Sequence, residues 1–270
     1  MIVTGGAGGL GEAVVRQAAA AGAGAVIADL SDEKGEALAA ELADRVRYVT
    51  TDVLDDAAKN AIKVANELAP LRYAVTAHGG WGVAERVVQK DGSPATLEGF
   101  RKTLDLYLTG TYNVLRLTSA DIATREPDSD GARGAVVTTA SIVAFEGRIG
   151  QTSYAAAKAG VAGLTIAAAR DLSAVGIRVV CIAPGTMKTA IMESVGKEAI
   201  AAFGKAVPLP EASWQAIGVR RVGHPRADQR LPQRRDDPSG WCAALRSTLS
   251  RAERSDSNDS GGRIVTAPAT

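Results

Sequence analysis

The 270-residue chain predicts a single doubly wound parallel α/β sheet, and three observations carry the prediction. Short β-branched runs alternate with longer Ala/Leu/Glu-rich stretches throughout residues 1–210, the pattern of strand–helix units with helices on both faces. The 46 % hydrophobic content is enough to bury a core at this length. The sequence also has no internal repeat and no apolar run near the roughly 18 residues of a membrane span, so solenoid and membrane architectures drop out.

The elements follow in order. Ile2–Thr4 is β-branched throughout and reads as the first strand; a glycine-rich turn then opens a helix over Leu10–Ala20. Ala25–Asp29 is the second strand, and Ser31 is placed to cap a helix over Glu33–Ala43. Val46–Thr50, Tyr73–Ala77, Ala135–Thr139 and Ile177–Ile182 are further strands. Between them Asp56–Leu68, Leu97–Ala123 and Tyr154–Ala174 read as helices.

Charge and cysteine usage narrow the functional classes. Lys and Arg total 31 against 30 Asp and Glu, so bulk charge argues against nucleic-acid or membrane-surface partners. Cys181 and Cys242 are far apart and build no disulfide framework, which fits a reducing compartment. With only His78 and His224 and no close Cys or His pairs, a structural zinc site is excluded. The start, Met1-Ile2-Val3-Thr4-Gly5, lacks a charged leader region, so the expectation is a soluble cytoplasmic protein.

Two constellations carry chemistry. Thr4-Gly5-Gly6-Ala7-Gly8-Gly9-Leu10-Gly11 joins a strand to a helix, where glycines let the backbone approach a pyrophosphate and helix N–H groups meet its charge. Without that context the same glycines would be only a tight turn. Asp29 ends the second strand 18 residues past Gly11, where a carboxylate accepts from ribose hydroxyls and repels a 2′-phosphate, favouring NAD over NADP. The plainer reading is a cap for the next helix. Asp52 and Val53 follow the third strand, in reach of an adenine amino group.

The second constellation is Ser141 at the end of the fifth strand, with Tyr154 thirteen residues on and Lys158 four beyond that. The i, i+4 spacing puts phenol and ammonium on one helix face. An ammonium near a phenol lowers its pKa toward the range of a general acid–base, and the Ser141 hydroxyl is placed to hold a substrate oxygen. Taken singly, a Tyr and a Lys on a helix are surface residues. A methyltransferase of the same general fold shares a glycine loop and acidic strand end but has no use for Tyr154 and Lys158.

Thr4–Gly11, Ser141 and Tyr154 with Lys158 together resemble the TGxxxGxG, Ser and YxxxK signature of the short-chain dehydrogenase/reductase family, whose sheet is of Rossmann type. Residues 1–210 carry the resemblance. Within the family the chain is similar to the type 2 3-hydroxyacyl-CoA dehydrogenases (17-beta-hydroxysteroid dehydrogenase type 10-like). The similar stretches are Glu85–Leu97, Thr138–Gly147, Ala169–Leu172 and Gly176–Val179. The resemblance implies an enzyme that interconverts a secondary alcohol and a ketone on an acyl-CoA or steroid-like substrate. It implies NAD held by Gly5, Gly8, Gly9, Leu10, Gly11, Asp29, Asp52, Val53, Ala77, Gly79, Tyr154 and Lys158, with Pro184, Gly185, Met187 and Thr189 closing on the nicotinamide. It further implies a homotetramer built partly through the last strand. Two positions depart from the family. Thr76-Ala77-His78-Gly79 stands for its Asn-Asn-Ala-Gly or Asn-Cys-Ala-Gly, and Tyr107 stands where the family usually has an Asn that links the lysine to solvent through a water. Tyr107 keeps a hydroxyl, so the relay is expected to be altered rather than lost; a nucleotide-binding protein without turnover is the second functional class.

Composition breaks near Pro210. Residues 1–210 hold nine Lys and twelve Arg, whereas residues 211–270 hold ten Arg, no Lys and two of the three Trp. The family's closing strand sequence is missing. Codons compatible with Pro232–Ala244, read one base later, encode LNGETIRLDGAL, a family-like ending; Glu211–Gly223 likewise yields KRLGRPSEYAEL, and Leu249-Ser250 hides a stop. Residues 211–270 therefore read as out of frame and poorly ordered. The sheet is expected to lack its seventh strand, and the chain its usual assembly.

Overall fold

The computed structural model describes residues 1–80, 82–185, 187 and 189; the expectations for residues 211–270 lie outside them. Met1–Ala183 forms one compact unit, and Pro184 begins a second. Within the first, six strands, β1 (Ile2–Thr4), β2 (Ala25–Asp29), β3 (Val46–Thr50), β4 (Tyr73–Thr76), β5 (Gly134–Thr139) and β6 (Ile177–Ile182), form one sheet in the order β3-β2-β1-β4-β5-β6. Every pairing is parallel. Buried on both faces, β1, β2 and β5 are nearly continuous apolar or β-branched runs. β3 lies at the sheet edge and exposes Arg47 and Thr50 while burying Val46 and Val49.

Alternate strand residues serve two layers. Ile2, Val26, Ala28, Val136, Ile177 and Val179 join one core with Ile62 and Ala65 of α3 (Ala58–Leu68), Leu115 and Ile122 of α5 (Gly110–Ile122) and Ala168 of α7 (Thr152–Ser173). The intervening Ala25 and Ile27, fully buried, serve the other face, where α1 (Gly9–Ala20) and α2 (Asp32–Leu42) pack on β2. A short helix, α6 (Val143–Glu146), ends at Gly147 with φ +66°.

The stretch Leu97–Ala123, expected as one helix, is interrupted. α4 (Leu97–Leu104) leads into a π-helical turn, Asp105–Thr109, before α5 begins. The Thr111 hydroxyl donates to the Tyr107 carbonyl at 2.7 Å, and the Tyr107 hydroxyl is anchored on the backbone of Gly80. The extra residue of a π-turn re-aims a side chain, which is why such turns gather at functional sites. Here the residue re-aimed is Tyr107.

The strand order reverses between β1 and β4, so their C-terminal ends diverge into a crevice, the usual ligand position in an open α/β sheet. All the chemistry-bearing residues of the first unit lie at this end of the sheet or on the helices entered from it.

Candidate active site

The glycine turn sits at this crevice. Gly5 donates to the Ala28 carbonyl at 2.9 Å and adopts φ +67°; a Cβ there would lie 2.4 Å from the Cα of His78. At Gly11 a Cβ would lie 2.1 Å from the Gly5 carbonyl oxygen, so helix α1 packs back onto its own entry turn only with glycine. Gly8, preceding α1, differs: a Cβ there would meet nothing within 4 Å. The protein's own packing does not require that glycine, and the space beside it leaves the helix N-terminus open to close approach by another group. The half-buried Leu10 and exposed Gly9 form the first residues of α1. An open cradle at a helix N-terminus fits a pyrophosphate.

Asp29 closes the other side. Its carboxylate accepts from the N–H of Ala7 at 3.0 Å and of Ser31 at 3.1 Å, tying the glycine turn to the end of β2. Ser31 precedes α2 but makes no side-chain cap, so the cap expected of it is absent. Asp52 is half-buried and its carboxylate accepts from Leu54 N–H at 2.9 Å, while Val53 is buried. Asn113, which the sequence reading passed over, donates to the carbonyls of Val53 and Asp55, both at 2.8 Å. Its signal was a polar residue on the buried side of a helix. Gly110 allows the approach, since a Cβ there would lie 2.5 Å from Val53.

After β4, Ala77 is half-buried and pairs with Thr4 (N–H to carbonyl, 3.0 Å); Gly79 is exposed. His78 is buried, with Nδ1 2.7 Å from the Thr4 hydroxyl and Nε2 3.5 Å from that of Thr111. Burial, helped by the Lys158 charge, pushes its pKa down to about 3, so it is a neutral, packed histidine stitching β4 to β1.

Ser141 is buried just past β5, and its hydroxyl oxygen accepts from Val143 N–H at 3.3 Å. Tyr154 and Lys158 rise from the first turns of α7, whose start is held by the Ser153 hydroxyl on the Val83 carbonyl. Lys158 is buried and donates to the Thr139 carbonyl at 2.6 Å. The electrostatics differ from the sequence expectation. Burial raises the Tyr154 phenol above its ordinary value, and Ser141, facing it by hydrogen bonding, is the group that pulls it back. Lys158 Nζ lies 5.9 Å from the Tyr154 ring centroid but 4.5 Å from that of Tyr107, whose ring meets Tyr154 edge-on at 4.9 Å. Desolvation brings Lys158 down to about 8. Against the expectation of an altered relay, the Tyr107 hydroxyl donates to the Gly80 carbonyl and accepts from its N–H at 3.3 Å, so it is committed to that backbone and offers none to the lysine.

Of the residues expected over the nicotinamide, Pro184, Met187 and Thr189 are half-buried and Gly185 is exposed; all four belong to the second unit. Among the described residues no cluster of His, Cys, Asp or Glu is built to hold a metal, and no helix is long and apolar enough to cross a membrane.

A glycine turn at the switch point, with a serine, a tyrosine and a lysine at the adjacent strand and helix ends, defines an oxidoreductase of the short-chain dehydrogenase type. The chain belongs to that family: the family model described as short chain dehydrogenase matches residues 1–199. It is 37 % identical over 211 residues to the 3-hydroxyacyl-CoA dehydrogenase type-2 of Homo sapiens, covering 77 % of this chain and 81 % of the relative. It is 36 % identical over 220 residues to the 3-alpha-(or 20-beta)-hydroxysteroid dehydrogenase of Mycobacterium tuberculosis, covering 78 % of each. A crystal structure of 3-hydroxyacyl-CoA dehydrogenase type-2 from Mycobacterium avium superposes with a TM-score of 0.76 at 65 % identity, covering 78 % of this chain and 82 % of that one.

Proposed function

We propose that the protein is an NAD-dependent dehydrogenase interconverting a secondary alcohol and a ketone on a 3-hydroxyacyl-CoA or hydroxysteroid substrate. The observation that carries the reading is the placement of Ser141, Tyr154 and Lys158 beside the Gly5–Gly11 turn, at one end of one sheet. The open cradle at Gly8 and the carboxylate of Asp29 fit a dinucleotide without a 2′-phosphate. Gly5, Gly8, Gly9, Leu10 and Gly11 would hold its pyrophosphate, Asp29 its ribose, Asp52, Val53 and Ala77 its adenine side, and Gly79, Tyr154 and Lys158 its nicotinamide half. When bound, NAD supplies the hydride acceptor. In this reading Tyr154 moves the proton of the substrate hydroxyl, Ser141 holds the substrate oxygen, and Lys158 supplies the neighbouring positive charge.

Residues 1–210 form the catalytic domain in this proposal, and residues 211–270 lie outside the family pattern. The family match, which ends at residue 199, supports this division, and the relatives align over about four-fifths of the chain, 77 % and 78 %. The test is NADH absorbance with a panel of 3-hydroxyacyl-CoA thioesters and hydroxysteroids, NAD and NADP compared. NAD-linked oxidation of either class is the expected result; cofactor binding without turnover of any alcohol would overturn the assignment. The sealed surroundings of Lys158 favour one second reading, an NAD-binding protein of little turnover.

A further inference from the structure

A buried ammonium needs either polar partners or water, and Lys158 has few of the first. It is 4 % exposed, its hydrogen bond goes to the Thr139 carbonyl, and among the described residues no carboxylate pairs with it. The groups facing it are Tyr154 on its own helix, Cys181 of β6, the neutral His78 after β4, and the ring of Tyr107 from the π-turn. That ring stacks on the ammonium at 4.5 Å, a cation–π contact in a desolvated setting. Tyr107 is itself 4 % exposed and fixed from three sides. Its hydroxyl is bound to Gly80, its edge abuts Tyr154, and Gly79 and Gly82 leave it room, since a Cβ at either would lie 3.3 or 3.4 Å from the ring.

We propose that Tyr107 is a positioning residue that seals the Lys158 ammonium from solvent, so that protons reach and leave the Tyr154–Lys158 pair only through the Tyr154 hydroxyl. The ring does chemically what a small polar side chain at that place cannot: it holds the charge by its π face while supplying no hydrogen bond and admitting no water chain. Each catalytic cycle changes the protonation of Tyr154 by one proton, which must be exchanged with water before the next. With the lysine side closed, that exchange waits until the substrate side is open, after product has left. The turnover consequence rests on the proposed role of Tyr154; the seal does not.

The test therefore reads the seal without turnover. In the full chain labelled with 15N-lysine, the Lys158 ammonium resonance, assigned by its loss in Lys158→Arg, is expected to exchange hydrogen with water at least tenfold more slowly than those of the exposed lysines. Tyr107→Phe keeps the ring and is expected to keep the slow exchange, whereas Tyr107→Asn is expected to bring it to the rate of the other lysines. A Lys158 that exchanges as fast as exposed lysines in the unaltered protein overturns the proposal, whether or not any variant folds. So does slow exchange that persists in a folded Tyr107→Asn. Where NAD-linked turnover is observed, the solvent deuterium isotope effect on kcat is expected to shrink in Tyr107→Asn. Absence of turnover in the unaltered protein would count against the proposed function alone.

Discussion

Asp29 has two separable duties, and substitution distinguishes them. Its carboxylate satisfies the N–H groups of Ala7 and Ser31, and Ala7 is buried. Removing both acceptors in Asp29→Ala strands one buried donor, at about 1–3 kcal/mol, and one partly solvated donor at less. A loss of about 2 kcal/mol corresponds to a fall in Tm of about 4–8 °C for a domain of this size. Asp29→Asn keeps one carbonyl acceptor and should lose about half of that, but it loses all of the charge. If the charge selects the cofactor, both variants forfeit a charged hydrogen bond to the ribose worth about 1.5–3 kcal/mol, roughly a 10- to 100-fold loss in NADH affinity. NADPH binding should meanwhile improve, because like-charge repulsion of the 2′-phosphate is gone. Thermal unfolding by circular dichroism and NADH and NADPH fluorescence titrations measure the two effects separately. The expected result is Ala below Asn in Tm, with an equally narrowed preference in both. An unchanged preference in Asp29→Asn would refute the cofactor role and leave Asp29 as a tie between β2 and the glycine turn.

Other outcomes follow from the same geometry. Tyr154→Phe removes the titrating hydroxyl while keeping the ring that packs on Tyr107, so kcat should fall by about 10²–10⁴-fold with NADH affinity nearly intact; substantial activity would exclude Tyr154 as the acid–base. His78 is neutral in the folded protein to about pH 3 but protonates near 6.5 when unfolded, so the unfolded state binds the extra proton between those values. Stability should decline as pH falls from 6.5, at up to about 1.4 kcal/mol per pH unit, and denaturant unfolding of His78→Gln should show a shallower acid limb. An equal slope in both would place the acid sensitivity elsewhere. Resequencing the gene across the codons for Leu209–Trp214 should find one base gained or lost against a family-like frame; an intact frame ends the out-of-frame reading of residues 211–270.

The strands were legible from the sequence almost to the residue because each is a short β-branched run flanked by glycine or a polar turn, and burial on both faces leaves such a run no other place. Ile2–Thr4, Ala25–Asp29, Val46–Thr50 and Ile177–Ile182 stand as read, and β4 ends one residue early, at Thr76, where the chain turns to His78. The glycine turn was legible for the same local reason: Gly5 and Gly11 are demanded by contacts within a few residues or with the neighbouring strand. The interrupted helix Leu97–Ala123 was not, since the π-turn is fixed by a tertiary bond, the Tyr107 hydroxyl on Gly80, and periodicity carries no trace of it.

That difference matters most for the phenol and the lysine. Spacing placed Tyr154 and Lys158 on one face of α7, and the structure keeps them there, but spacing says nothing of what stands beside them. With water around Lys158, its charge would act on Tyr154 through solvent. In the folded protein the Tyr107 ring stands over the ammonium at 4.5 Å, burial raises the phenol, and the Ser141 hydrogen bond draws it down. Spacing thus fixes which side chains share a face, while burial, the Ser141 hydrogen bond on Tyr154 and the Tyr107 ring anchored on Gly80 beside Lys158 come from tertiary contacts that the spacing does not carry.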